Sequence, residues 1–230
     1  MNRFDNTDSL SFMATLQNGC VDLVLTDPPY IISHETGFKS VKEGVHRFAV
    51  ETEFGEWDKP ENFSMSDLED SVAEYYRVLR DGGTAIVFCD LWKISHVKDM
   101  MERHKFKQIR FIDWVKTNPV PLNSSRNYLT NAREVAILGV KRSKPTFNNK
   151  YHSGLYRYPI CHDKGRFHST QKPLQFMKDL ITTHSNDGDV VLDTFAGAAT
   201  TLLAAKELGR TYLGCELDKD YYDKAVERLK

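Results

Sequence analysis

No stretch of this 230-residue sequence is apolar for the roughly 20 residues that a membrane-spanning helix requires, so a helical membrane protein is excluded and no membrane partner is expected. The opening MNRFDNTDSLSF has neither the basic start nor the apolar run of a secretory leader, and a cytoplasmic location is the expectation. Cysteine is sparse. Cys20, Cys89, Cys161 and Cys215 are scattered with no C-x-x-C spacing, which points away from a disulfide framework or zinc site, and no metal is expected. The chain also lacks the G-x-G-x-x-G fingerprint, which disfavours a dinucleotide held by its pyrophosphate. Internal repeats and low-complexity tracts are missing too.

A net charge of −1 conceals a strong asymmetry along the chain. Residues 50–81 hold ten acids against three bases, whereas residues 141–172 hold eight bases against the single acid Asp163. Tyr151, Tyr156, Tyr158 and Phe167 are interleaved with those bases, a composition suited to phosphate contact and base stacking, and equally to a solvated loop. At 40% apolar content the length suits one domain, 1–230, with a sizeable core.

The hydrophobic pattern alternates strand and helix. A short strand near 3–5 and a small helix over 10–16 precede the apolar run VDLVLTD, whose lack of alternation suits a strand buried on both faces. Residues 31–59 have no clear period and read as a long loop after that strand. A helix is expected from about Ser66, with Ser66-Asp67-Leu68-Glu69 as its capping box and Asp81-Gly82-Gly83 as its stop. There follow a strand at 84–89, a helix over 94–103, and two strands near 107–115 and 133–140 that form a hairpin. Pro173 opens another helix, and strand 190–193, helix 200–208, strand 211–216 and helix 218–229 complete the chain. The expected fold is α/β: a mostly parallel sheet with an antiparallel hairpin and helices on both faces.

Ligands of open α/β sheets bind at the carboxyl ends of strands, so the residues there carry the chemical argument. Asp27-Pro28-Pro29-Tyr30 ends the first buried strand. The prolines fix two φ angles, which holds the Pro28 carbonyl in a set direction beside the Asp27 carboxylate. Two acceptors of this kind can take both N–H donors of a base's exocyclic amino group. The nitrogen then becomes more tetrahedral and its lone pair is freed for attack, while the Tyr30 ring can stack on the base. Asp193-Thr194-Phe195-Ala196-Gly197-Ala198-Ala199-Thr200-Thr201 ends a second strand with small residues that let a cofactor approach the backbone. About twenty residues on, Glu216 is placed to accept from ribose hydroxyls.

With these residues in view, the chain resembles the DNA amino-methyltransferases of the β arrangement, in which the D-P-P-Y motif precedes the S-adenosylmethionine motif. It is particularly similar to the short adenine-N6 enzymes. NTDSL (6–10), TDPPY (26–30), FGEWD (54–58), WVKTNP (114–119), STQKP (169–173), DTFAGAATT (193–201) and GCELDKDYY (214–222) carry the resemblance. It implies a Rossmann-like methyltransferase fold with circularly permuted motif order, S-adenosyl-L-methionine as cofactor, and DNA as substrate. By the same resemblance, Asp27, Pro28, Pro29 and Tyr30 are catalytic. Asp8, Ser9, Asp27, Thr170, Gln171, Lys172, Asp193, Phe195, Gly197, Glu216 and Leu217 would border the cofactor.

Lys116 and Asn118 match a segment near the target base. Residues 120–168 form a small basic recognition region, from which Arg126, Lys141, Arg142, Lys144, Lys164 and Arg166 are candidate DNA contacts. Its shortness leaves room for a homodimer, and the family for a paired restriction endonuclease. Asp27, where cytosine-N4 relatives commonly carry Ser, favours N6 of an adenine that is flipped out or single-stranded. Cytosine N4, a protein glutamine or RNA, and a non-catalytic DNA-binding role stay open as alternatives. Thr194, Ala198, Ala199 and Ser169 replace Pro, Ser, Gly and Pro of the usual motifs, and Ala199 is expected to restrict the backbone where Gly would permit positive φ.

Overall fold

The computed structural model describes residues 1–30, 63–120, 129–161, 165–168 and 170–230. The expected loop at 31–59, Arg126, Asp163 and Lys164 lie outside the described residues.

Strands β1 (Arg3–Asn6) and β2 (Val21–Thr26) flank helix α1 (Ser9–Ala14). Helix α2 (Met65–Val78) leads directly into the long strand β3 (Leu79–Cys89), and a single 3-10 turn, Leu91–Lys93, connects β3 to α3 (Ile94–Arg103). Strands β4 (Lys107–Lys116), β5 (Arg133–Val140) and β6 (Leu155–Tyr158) follow. Helix α4 (Leu174–His184), strand β7 (Val190–Asp193), helix α5 (Thr200–Glu207), strand β8 (Thr211–Glu216) and helix α6 (Lys219–Arg228) complete the order.

The strands form one sheet in the order β1-β8-β7-β2-β3-β5-β4-β6. Only β5 is reversed: it pairs antiparallel with both β3 and β4, and every other neighbouring pair is parallel. From β2 the chain moves through α2 to β3 on one side, while from β7 it moves through α5 to β8 on the other. The order therefore reverses between β2 and β7, and the crevice beyond their carboxyl ends is the place where such sheets bind ligands.

Alternate strand residues fill two cores, as the two-residue period of a strand dictates. Val24, Ala85, Val87, Val135, Ile137 and Leu192 pack beneath α1, α2 and α3. Leu23, Leu25, Ile86, Phe88, Ala136 and Val191 pack beneath α4 and α5. Phe176 of α4 gathers the second core, its ring lying 5.3 Å from Trp114, 5.3 Å from Tyr156 and 5.5 Å from Tyr158. That cluster fixes the helix whose entry carries Thr170, Gln171 and Lys172.

Three local expectations are corrected. The capping box of α2 is formed by Ser64 and Asp67, two residues before the Ser66 expected, because Ser64 adopts extended backbone and exchanges hydrogen bonds with Asp67. The helix stops at Val78, and Asp81-Gly82-Gly83 lies inside β3, where Gly82 and Gly83 bond to the Lys141 backbone at 2.7 and 2.9 Å. Strand β6 was not expected at all; its four residues pair with the outer side of β4. Gly214 in β8 explains one contact of the α5 layer: a β-carbon there would stand 2.8 Å from both the Asp193 carbonyl and the Leu202 side chain. Among the described residues no helix is long and apolar enough to cross a membrane.

Candidate active site

Three acidic residues sit at the carboxyl ends of neighbouring strands: Asp27 just after β2, Asp193 ending β7 and Glu216 ending β8. Thr26 ties the first two, its hydroxyl donating to Asp193 at 2.8 Å. Asp193 also accepts from the Phe195 amide at 3.2 Å, which folds the chain into the small-residue loop. Burial pushes the Asp193 carboxyl up to about 6, against the pull of its Thr201, Thr26 and Phe195 hydrogen bonds.

Glu216 accepts from the Gly197 amide at 2.7 Å and from the Asp218 amide at 2.8 Å, one on each oxygen. The carboxylate is thereby aimed before any ligand arrives, with lone pairs left over for further donors. Burial raises its pKa, opposed by those backbone donors. Gly197 has φ +51°, and a β-carbon there would lie 3.4 Å from the His168 ring, so the glycine lets the loop close over the segment before α4. Phe195 meets Phe63 edge-on at 5.3 Å, and Leu217 is exposed beside Glu216. Asp8 caps α1 by accepting from Ser11, and Ser9 is buried behind it. Asn6 donates to the Glu216 carbonyl at 2.8 Å, so the β1 end is fastened to the same corner.

Ala199 shows how the altered loop is accommodated. It adopts φ +54°, the left-handed conformation that the usual Gly would take. The expectation that Ala would restrict positive φ is corrected: the backbone keeps this conformation, and the methyl is fully buried against the core of α5 and α6. A left-handed non-glycine residue costs about 1–2 kcal/mol, which burial of the methyl partly offsets.

The Asp27 end is electrostatically dense. Lys172, only 6% exposed, pairs with Asp27 and stands 3.0 Å from Glu134, while Lys116 reaches the other Glu134 oxygen at 2.8 Å. The Lys172 ammonium also lies 5.0 Å over Phe88 and 5.8 Å over Tyr30. Burial alone would depress the Lys172 pKa, but the two carboxylates together raise it. Burial pushes Asp27 upward against Lys172. In Glu134 the same burial is outweighed by Lys172 and Lys116, which hold its pKa low. Lys93 donates to the Tyr30 carbonyl at 2.6 Å and so pins the tetrapeptide from the β3 side. Four buried polar atoms here, Asp27 Oδ1, the Tyr30 hydroxyl, Glu134 Oε2 and Gln171 Oε1, make no well-formed hydrogen bond among the described residues, although the Tyr30 hydroxyl is near enough to Asp27 to favour its ionised form. Buried unsatisfied acceptors are costly, and they mark places where a ligand donor fits.

Other expected residues fall as follows. Thr170 contacts His168 Nδ1 at 3.1 Å, and Gln171 donates to the Cys161 sulfur at 3.4 Å. Asn118 accepts from the Ile160 amide at 2.7 Å, fastening the end of β4 to the chain after β6. Arg166 donates to the His168 carbonyl at 3.1 Å.

Lys141, Arg142 and Lys144 are not brought to this site. Because β5 runs antiparallel, Val140 pairs with Thr84 in the middle of β3, Lys141 bonds to Gly82 and Gly83, and the residues that follow lead towards the amino edge of the sheet. About 16 Å of strand separates them from the Asp27 end. Lys141 instead donates to the Leu79 carbonyl at 2.6 Å, and Arg142 approaches Asp81 at 3.6 Å. Sequence reasoning missed Glu134 and Lys93, and His168 as the neighbour of Gly197.

A doubly wound sheet with a D-P-P-Y strand end on one side of its switch point and an acid-flanked glycine loop on the other defines a methyltransferase-class site. The chain belongs to the DNA methylase family of the N6 and N4 type, whose pattern matches residues 21–227. It is 32% identical to the type II methyltransferase M.HinfI of Haemophilus influenzae, over the whole of this chain and 70% of that protein. It is 29% identical to the type II methyltransferase M2.MboI of Moraxella bovis, over 95% of this chain and 84% of that one. The crystal structure of the M1.HpyAVI complex with S-adenosylmethionine matches with a TM-score of 0.74 at 28% identity, covering both chains fully. The PvuII cytosine-N4-specific methyltransferase shares the fold, with a TM-score of 0.76 at 16% identity over 86% of that chain. The protein is an S-adenosylmethionine-dependent DNA N-methyltransferase. The residues present fit that cofactor: a buried carboxylate ends β7, and a second one is aimed from β8 across a glycine at positive φ.

Proposed function

We propose that the chain methylates N6 of adenine in DNA. What supports this reading above all is Asp27, an aspartate before the double proline whose buried Oδ1 makes no well-formed hydrogen bond among the described residues and has only the nearby Tyr30 hydroxyl as a neighbouring donor. An amino N–H satisfies that oxygen. The Pro28 carbonyl takes the second N–H, leaving the nitrogen lone pair directed out of the base plane. Tyr30, held through its carbonyl by Lys93, stacks on the extruded base. S-adenosylmethionine, when bound, supplies the methyl group.

Asp193, Phe195 and Gly197 would line its methionine and ribose, Glu216 and Leu217 its ribose hydroxyls, and Asp8 and Ser9 its adenine. Thr170 and Gln171 would border its methionine end. DNA would approach along the carboxyl edge of the sheet, where Lys116, Arg133 and Arg166 lie, and the parts of 120–168 at that edge would supply target recognition, without Lys141, Arg142 and Lys144. The short length of that region suits completion by a second copy, and the relatives' type II designation makes a paired restriction endonuclease the genetic neighbour to seek.

Incubating the protein with methyl-labelled S-adenosylmethionine and PCR-amplified, hence unmethylated, genomic DNA, then digesting to nucleosides, tests the base. Label in N6-methyladenine is expected. Label confined to N4-methylcytosine would replace this reading with the cytosine one.

A further inference from the structure

Lys172 is shared. Its buried ammonium faces Asp27 on β2 and Glu134 on β5 at once, and Glu134 is in turn pinned through its other oxygen by Lys116 of β4. The four groups form a row of alternating charge, acid and base equal in number, across the carboxyl edge of β2, β3, β5 and β4. The contact between Lys172 and Glu134 is a charge-assisted ion pair at 3.0 Å, and it holds the Glu134 carboxyl down while it raises Lys172.

Resting on the reading of Asp27 given above, we propose that Lys172 and Glu134 are positioning residues that set how well Asp27 accepts the target amino group. Lys172 favours the ionised form of Asp27 against the upward push of its burial; two buried carboxylates with no cation between them could not both stay charged. Left alone with Asp27, however, a buried ammonium would hold it as a tight contact pair, and the neutral amino N–H of a base is the weaker donor. Glu134 draws off part of that ammonium's field. Asp27 then stays charged yet available.

The groups facing this row are Tyr30, Cys89 and Asp193 around Asp27, His168 near Lys172, and Lys116 on Glu134. Burial keeps the Tyr30 and Cys89 protons on, and His168 is pushed down to about 4, so it is neutral near neutral pH. Asp193 ionises near 6, and its contribution is common to all the variants below.

The test is the pH profile of single-turnover methyl transfer from labelled S-adenosylmethionine to PCR-amplified genomic DNA, for wild type, Glu134→Gln, Lys172→Met and Lys172→Arg. Glu134→Gln removes a like charge from Asp27 and gives it Lys172 undivided. Its acid limb is expected to move to lower pH while the plateau rate falls about tenfold. Lys172→Met leaves two carboxylates facing each other, so its limb is expected to move to higher pH, and Lys172→Arg should bring it back towards wild type. Limbs that stay put, or that move the same way in Glu134→Gln and Lys172→Met, would overturn the proposal.

Thermal stability reads the same coupling without turnover. In Lys172→Met the folded-state pKa values of Asp27 and Glu134 rise above their unfolded values, so stability is present at low pH and lost as pH rises. The Tm of that variant should fall increasingly below wild type as pH rises above the ordinary carboxylate range of about 4, and parallel curves would contradict the coupling. Asp27→Ala belongs in the same series. Undiminished transfer there would overturn the reading of Asp27 itself, whereas loss there with unmoved limbs would overturn only the role of Lys172 and Glu134.

Discussion

The Thr26 hydroxyl donates to the Asp193 carboxylate at 2.8 Å and joins the ends of β2 and β7 at the point where the sheet order reverses. This bond places the D-P-P-Y strand end and the glycine loop on opposite lips of one crevice. Methyl transfer demands that donor and acceptor sites share such a boundary, and neighbouring parallel strands supply it without a second domain.

Asp193 is expected to trade stability for function. Its folded pKa, about 6, exceeds the 3.8 of an ordinary Asp, so the folded state binds more protons between those values and stability falls as pH rises through that window. The carboxylate costs roughly 3 kcal/mol above pH 6. Asp193→Asn should therefore have a Tm advantage over wild type that grows from pH 4 to 6 and then levels off, while S-adenosylmethionine binding weakens. Thermal melts across pH 4–8 check the first outcome, and calorimetric titration the second.

Glu216 already spends one lone pair on each oxygen on the Gly197 and Asp218 amides. Glu216→Gln turns one oxygen into a donor that faces one of those amide donors, and it removes the charge-assisted hydrogen bonds expected towards a ribose. S-adenosylmethionine affinity should fall about 10- to 100-fold, with a smaller loss in Tm, by calorimetric titration and melting.

Charge at the two edges of the sheet is expected to separate in DNA binding. Arg142→Glu with Lys144→Glu, at the amino edge, should leave the salt dependence of DNA affinity unchanged. Arg133→Glu, at the start of β5 on the carboxyl edge, should lower its slope by about one. Titrations of a fluorescent duplex at several salt concentrations distinguish the two, and a slope that drops only for the first pair would move the DNA to the opposite edge.

Much of this architecture was legible in the residues. The apolar runs at β2, β7 and β8 and the amphipathic helix Ile94–Arg103 were read within a residue or so. Local pattern decides those elements. Strand β6 escaped because its four residues LYRY sit in a basic stretch and only pairing with β4 makes them a strand. Lys141, Arg142 and Lys144 were grouped with the other bases by position in the chain. The reversal of β5, a tertiary feature, carries them to the far edge. Glu134 opens a strand that reads as apolar, and its partner Lys172 lies well along the chain, so no local spacing announces the pair. The place of the tetrapeptide at the end of a buried strand was legible, but the charge around it was not.

The most direct test of the central claim is methyl transfer by Asp27→Ala under single-turnover conditions, with S-adenosylmethionine binding measured on the same preparation. The expected result is cofactor affinity within a few-fold of wild type and transfer to adenine reduced by at least a thousandfold. Transfer at a rate comparable to wild type would contradict Asp27 as the acceptor of the amino group.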